Sequence, residues 1–418
     1  MIKSKGKPCF FDCNKFFVML IYLTEKDFLE ELDMSEHTIY SDIARRTGGD
    51  IYIGVVGPVR SGKSTFIKRF MESLVLPNIK EGYDRDRARD ELPQSAGGKT
   101  VMTTEPKFIP DAAVTVEMGE GERMRVKMID CVGYVVPDAL GTIEEGQPRM
   151  VRTPWQSDPM PFTAAAEIGK KKVINEHSTI GILVSTDGSI GEIPRDSYVF
   201  AEERIVKELR AIGKPFAIVL NSAHPTDPQS IALGEELEEK YSAPVALVNC
   251  LELNGEDIKN ILQMILCEFP VTEVKVKLPE WMKALEPSHP VKRSISDSVC
   301  KCADEIRRAG DIKKGFSVLR ENDNVRDVIF ESVDYGCGRA VLSVVCTREL
   351  YFKTLCELTG FDISSEEQLV RMLREYSKKK SEFDRVAEAL TQADEKGYGI
   401  VMPDVSALHL EEPEIVKQ

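Results

Sequence analysis

Ile51-Tyr52-Ile53-Gly54-Val55-Val56-Gly57-Pro58-Val59-Arg60-Ser61-Gly62-Lys63-Ser64 joins an apolar run to a glycine-bearing loop. Ile51 to Val56 is β-branched and apolar throughout, so it reads as a buried strand. Gly57 to Ser64 has the pattern G-x-x-x-x-G-K-[ST], and Thr65 to Leu74 reads as a helix. In that order the glycines let successive backbone N–H groups turn inward around a phosphate. The helix N-terminus adds the positive end of its dipole. The candidate phosphate-binding residues are Gly57, Pro58, Val59, Arg60, Ser61, Gly62, Lys63, Ser64 and Thr65. Lys63 is placed to neutralise the β- and γ-phosphates, and Ser64 to offer its hydroxyl to Mg2+. The bland alternative is a glycine turn between strand and helix, which the specificity of the pattern in this context disfavours.

Two further segments extend the candidate site. Met124 to Ile129 alternates as a strand does and ends in Asp130-Cys131-Val132-Gly133. An Asp ending a strand beside the loop strand would hold Mg2+, usually through water, and Gly133 would bring an N–H to the γ-phosphate. On its own Asp-x-x-Gly is a common turn. Between the two lies Gly97-Gly98-Lys99-Thr100-Val101-Met102-Thr103-Thr104-Glu105-Pro106. A mobile loop there could carry Thr103 and Thr104 over the γ-phosphate and its metal. The alternative is that these threonines begin the strand continuing through Phe108. The candidate catalytic set is thus Lys63, Asp130, Thr103 and Thr104, and the candidate metal ligands are Ser64, Asp130 and Thr104.

These three elements resemble the translation-factor-related branch of P-loop GTPases, which read guanine with Asn-Lys-x-Asp after a later strand. Here the strand Phe216 to Leu220 runs into Asn221-Ser222-Ala223-His224, without the Lys or the Asp. A site that has lost the carboxylate accepting from guanine should not discriminate by it, so ATP, or weak base preference, is expected. Tyr134 follows Gly133 where a water-positioning Gln often stands, and no residue is assigned to orient the attacking water.

Asp50 to Lys68, Val101 to Phe108 and Thr186-Asp187-Gly188-Ser189-Ile190 are similar to the stage IV sporulation protein A family, across roughly Met34 to Gln418. The resemblance implies an ATPase of GTPase ancestry that polymerises into a static basement layer for spore coat assembly around the forespore. It implies ATP and Mg2+ as cofactors, and other copies of the chain and other spore coat proteins as partners. It also implies a cytoplasmic location, on the mother-cell side of the forespore surface. The family's hydrolytic roles fall on Lys63, Asp130, Thr103 and Thr104. In the family a further C-terminal domain contacts a small amphipathic membrane peptide. That domain is expected to be absent after Gln418, which leaves membrane contact by this chain alone in doubt.

The composition agrees with a soluble globular chain. It has 418 residues, 42% hydrophobic and 30% charged, with a formal net charge of −14 and pI near 5.1. Length suggests about two to three domains, enough to bury a core without disulfide or metal staples. The acidic balance argues against a bulk nucleic-acid binder. Ten cysteines, scattered and without Cys-x-x-Cys, read as reduced cytosolic thiols.

Residues 1–33 look foreign to the rest. Lys3, Lys5 and Lys7 precede an apolar run from Phe16 to Leu23 that is too short to span a bilayer. They are expected to be a loosely ordered extension, or an artefact of a start site that belongs at Met34. Residues 34–270 are expected to form an α/β, doubly wound, mostly parallel P-loop NTPase sheet with its site at strand C-termini. Its further strands are Thr179–Ser185 and Val245–Asn249, its further helices Ser197–Ile212 and Gly255–Cys267. Residues 134–178 form a long connection in which Trp155, Met160 and Phe162 either dock a neighbouring subunit or fold back. Residues 271–418 are expected to form a second α/β or α+β domain without a catalytic motif. The alternatives to an assembling ATPase are a regulatory GTPase of the ribosome-maturation type and a scaffold that binds nucleotide without turnover.

Overall fold

The computed structural model describes residues 9–11, 18–22, 39–79, 82–93, 107–118, 122–131, 133–136, 143–144, 147–148, 150–153, 156–161, 164 and 177–401. The chain divides into two units, Met1–Val345 and Cys346–Gln418.

The first unit begins with two short strands, β1 (Cys9–Phe11) and β2 (Val18–Tyr22), then α1 (Ile39–Thr47), β3 (Asp50–Val56), α2 (Lys63–Phe70) and α3 (Tyr83–Asp90). Strands β4 (Lys107–Met118) and β5 (Glu122–Asp130) follow, then two small hairpins, β6 (Ile143–Glu144) with β7 (Gln147–Pro148) and β8 (Met150–Thr153) with β9 (Gln156–Pro161). Next come β10 (Ile180–Thr186), α4 (Asp196–Ile212), β11 (Phe216–Asn221), α5 (Pro228–Tyr241), β12 (Val245–Val248) and α6 (Gly255–Glu268). The main sheet has the order β12-β11-β10-β3-β5-β4, parallel except for the antiparallel edge strand β4.

Alternation along each strand builds two cores, one on each face. Ile51, Ile53 and Val55 of β3, Val126 and Met128 of β5, and Ile182 and Val184 of β10 face α1, α2 and α6, packing with Ile43, Phe66, Phe70 and Ile261. Val56, Ile129, Leu183, Ile218 and Leu220 face α4 and α5, packing with Tyr198, Ile205 and Leu237. Each fully buried Ile, Leu or Phe stabilises by roughly 1.5–3 kcal/mol over an exposed one. β10 and β11 are buried at every position, as central parallel strands covered on both faces must be. The doubly wound α/β sheet read from the sequence is the observed architecture.

Local chemistry sets the element ends. Asn254 and Asp257 form a capping box on α6, and Asp227 caps α5 with Pro228 at its first position. The helix expected from Thr65 to Leu74 is present as α2 continued by a π-type turn, Met71–Val75. Gly48 and Gly49 link α1 to β3 with φ of +69° and +90°, which L side chains rarely adopt. They are pinned by Gly49 N–H on Ala44 O at 2.7 Å and Arg125 N–H on Gly49 O at 2.9 Å.

A second sheet has the order β1-β2-β13-β15-β14, where β13 is Glu273–Lys277, β14 is Val325–Asp334 and β15 is Arg339–Cys346. β13 pairs in parallel with both β2 and β15. Cys9–Phe11 and Val18–Tyr22 are therefore strands of this sheet. Helices α7 (Pro290–Glu305) and α8 (Asp311–Ser317) lie between β13 and β14 in the chain.

The turn between β14 and β15 docks on α1. Arg45 pairs with Asp334 at 3.0 Å, and Arg46 Nε donates to Tyr335 O at 2.5 Å while its guanidinium lies 5.2 Å over the Phe269 ring. These links hold residues 271–345 in the first unit, whose end falls at Val345. Met160 is buried within its own chain, while Trp155 and Phe162 lie outside the described residues.

The second unit contains α9 (Arg348–Thr359), capped by Thr347, and the 31-residue α10 (Glu366–Lys396), capped by Ser365. No helix among the described residues is long and apolar enough to cross a membrane.

Candidate active site

The phosphate loop is folded by backbone geometry that few residues tolerate. At Gly57, φ is +157°, and a Cβ would lie 2.1 Å from Val184 O. At Gly62, φ is +96°, and a Cβ would lie 2.2 Å from Asn221 Nδ2. Arg60 between them takes φ +63°, a left-handed conformation of the kind phosphate-binding nests use. Ser61 Oγ and Lys63 Nζ both donate to Pro58 O, at 3.0 and 2.6 Å.

The end of β5 is laced to this loop. Cys131 N–H donates to Val55 O at 3.2 Å, Tyr134 N–H to Gly57 O at 2.9 Å, and Val59 N–H to Tyr134 O at 2.9 Å. Gly133 sits where no side chain fits: a Cβ would lie 2.8 Å from Val59 Cα and N. The lacing brings Asp130 against Ser64, whose Oγ donates to Asp130 Oδ2 at 2.8 Å.

Electrostatics follow from burial. Lys63 and Asp130 are only 8% and 4% exposed. Burial pushes the Lys63 ammonium down to about 8, with the Asp130 carboxylate opposing the shift. Burial raises Asp130, and Lys63 and Ser64 only partly offset this. A buried carboxylate that stays costly to ionise beside a lysine and a hydroxyl is short of positive charge. Ser64 Oγ and Asp130 Oδ2 are hard oxygens, the donor type Mg2+ takes when phosphates and waters complete its shell, so the residues fit that ion. Among the described residues no group of three or more acidic, His or Cys side chains could hold a metal. A one-carboxylate Mg2+ site does not need one.

On its other side the loop is held by Asn221, 4% exposed at the end of β11. Its Nδ2 donates to Ser61 O at 3.2 Å, and its Oδ1 accepts from Cys250 N–H at 3.0 Å. Thr103 and Thr104 lie outside the described residues. The other candidates, Gly57 to Thr65, Asp130 and Gly133, converge on one cradle.

Family models match both parts of the chain: the stage IV sporulation protein A ATPase domain over residues 34–270 and the middle domain over residues 271–418. The chain belongs to the stage IV sporulation protein A family. Stage IV sporulation protein A of Bacillus subtilis is 44% identical over 385 residues, covering 92% of this chain and 78% of that protein. The Clostridioides difficile protein of the same name is 46% identical over 382 residues, covering 91% and 78%. Among solved structures, the FeoB G-domain from Methanococcus jannaschii is 14% identical and covers 52% of this chain and 97% of that one. The TM-score is 0.26. This member of the stage IV sporulation protein A family is thus a nucleotide-binding sporulation protein with a P-loop ATPase domain.

Sequence reasoning did not assign Asn221 its place against Ser61, nor did it give a site role to Asp187, Ser189, Ser222 and Ser230, which hydrogen-bond to one another beside the same loop. Asp187 had two visible signals, its position directly after the buried strand β10 and its place in the Thr186 to Ile190 stretch that carries the family resemblance.

Proposed function

We propose that this ATPase couples Mg2+-dependent ATP hydrolysis to self-assembly into a static scaffold for the spore coat around the forespore. The observation that carries the reading is the cradle itself: Lys63 buried at the mouth of α2 and Ser64 Oγ 2.8 Å from Asp130, beside a base-side loop without Lys or Asp.

Loop N–H groups and the α2 N-terminus bind the phosphate chain, and Lys63 moves from Pro58 O to phosphate oxygens as they enter. Ser64 and Asp130 would hold Mg2+, which supplies charge neutralisation at the β- and γ-oxygens. Gly133, packed against Val59, would bring its N–H to the terminal phosphate. Thr103 and Thr104 are proposed to close over that phosphate. The proposed partners are other copies of the chain and spore coat proteins, on the mother-cell side of the forespore, with no nucleic acid.

The test measures phosphate release and sedimentation together. Mg·ATP should give release and growth in particle size, and Lys63→Ala should give neither. If Lys63→Ala assembles as fast as the unaltered chain, coupling of hydrolysis to assembly is wrong.

A further inference from the structure

The turn after β10 holds a carboxylate that the phosphate chemistry does not use. Asp187 Oδ1 accepts from Ser189 N–H at 2.9 Å and from Ser189 Oγ at 2.5 Å. Its Oδ2 accepts from Ser230 Oγ, near the start of α5, at 3.0 Å. Ser222 Oγ lies 3.3 Å from Ser230 Oγ and is a further donor to the Asp187 carboxylate. Ser222 Oγ in turn accepts from His224 N–H at 3.0 Å, and Ser189 Oγ accepts from Ala223 N–H at 2.8 Å. Every hydroxyl proton in the set is committed, and the set ties the 222–224 loop to the end of β10. Burial alone would raise Asp187, but the hydrogen bonds from Ser189, Ser222 and Ser230 outweigh it and hold the carboxyl below its ordinary value.

Its location is fixed by the cradle. A Cβ on Gly62 would touch both Asn221 Nδ2 and, at 3.7 Å, Ile190 Cδ1, so the 187–190 turn and the 221–224 loop border the phosphate loop. In the sheet, β3 stands between β5 and β10. The metal-side groups Ser64 and Asp130 lie toward β5, so the terminal phosphate belongs there and the nucleoside lies toward β10 and β11.

We propose that Asp187 is a positioning and specificity residue for the base. Tied down by Ser189 and Ser230, its carboxylate fixes the 222–224 loop and is withheld from the base, so the amide and amino protons of guanine meet no free acceptor. This rests on the ATPase reading above for its substrate. It goes further in naming the groups that set the base preference.

The experiment measures competition of ATP and GTP for binding and, in parallel, kcat and KM for each. Ser189→Ala with Ser230→Ala releases the carboxylate and should lower the ATP:GTP preference by roughly tenfold, the scale of one charged hydrogen bond. Asp187→Ala should raise KM for ATP more than it lowers kcat. Asp187→Asn can still accept from Ser189 and hydrogen-bond Ser230, so it should recover most of that loss. A thermal melt of each variant separates these effects from unfolding, and Ser230→Ala alone is the mildest change. If the double variant keeps the preference within twofold, or Asp187→Asn matches Asp187→Ala in KM, the proposal is overturned. Failure of the unaltered chain to release phosphate above Lys63→Ala would instead strike the ATPase reading, and the binding ratio would still judge Asp187.

Discussion

Lys63 carries its charge at a cost, because it is buried and its neutral form is favoured below the ordinary lysine range, with a pKa of about 8. A bound triphosphate favours the charged form and raises that value. ATP affinity should therefore be level below about pH 8 and fall above it, approaching tenfold per pH unit for the one proton involved. Stability of the nucleotide-free chain should move the other way. The unfolded lysine holds its proton to higher pH than the folded one, so this residue's contribution rises between about pH 8 and the ordinary lysine value. Isothermal titration across pH 7 to 10 checks the first statement; affinity unchanged across that range refutes it. Lys63→Ala should lower kcat by roughly 100-fold or more. The residues around Lys63 were readable from sequence because cradle, lysine and hydroxyl are neighbours in the chain. Asn221 was not, because its partner Ser61 lies 160 residues away, and a local pattern carries no record of such a contact.

At the scale of elements, the lacing of β5 onto the phosphate loop makes Gly133 a packing position. Gly133→Ala would press on the Val59 backbone and should cost about 1–3 kcal/mol, read as a lower denaturant midpoint with an unchanged slope. Gly234, inside α5 with nothing within 4 Å of a Cβ, is the control. Gly234→Ala should stabilise by about 0.5–1 kcal/mol. If both substitutions move the midpoint in the same direction, the packing account of Gly133 is wrong. β3, β10 and β11 were legible because a strand buried on both faces leaves a continuous apolar run, and β5 was legible through its alternation. The second sheet was legible only in pieces, because β13 joins β2 and β15 across long stretches of chain. Alternation in one strand does not name its partner.

For the whole molecule, Arg46 ties α1 both to the β14–β15 turn, through Tyr335 O, and to the end of α6, through the Phe269 ring. Arg46→Ala should lower stability by about 1–3 kcal/mol and shift the thermal midpoint downward. A change confined to residues 271–345 in hydrogen exchange, with the midpoint unmoved, would contradict a shared tie. Saturating Mg·ATP should raise the melting temperature of the intact chain, by about 2.7 kcal/mol of stabilisation at 100 times Kd, and should leave Lys63→Ala unmoved.

The tie gives meaning to the pair Gly48-Gly49. The helix gripped by the second sheet is followed at once by two left-handed glycines, and only then by the strand that feeds the phosphate loop. Because Gly49 N–H holds Ala44 O and Arg125 N–H holds Gly49 O, this joint is a fixed elbow, and the angle at which the gripped helix meets that strand is set by the backbone.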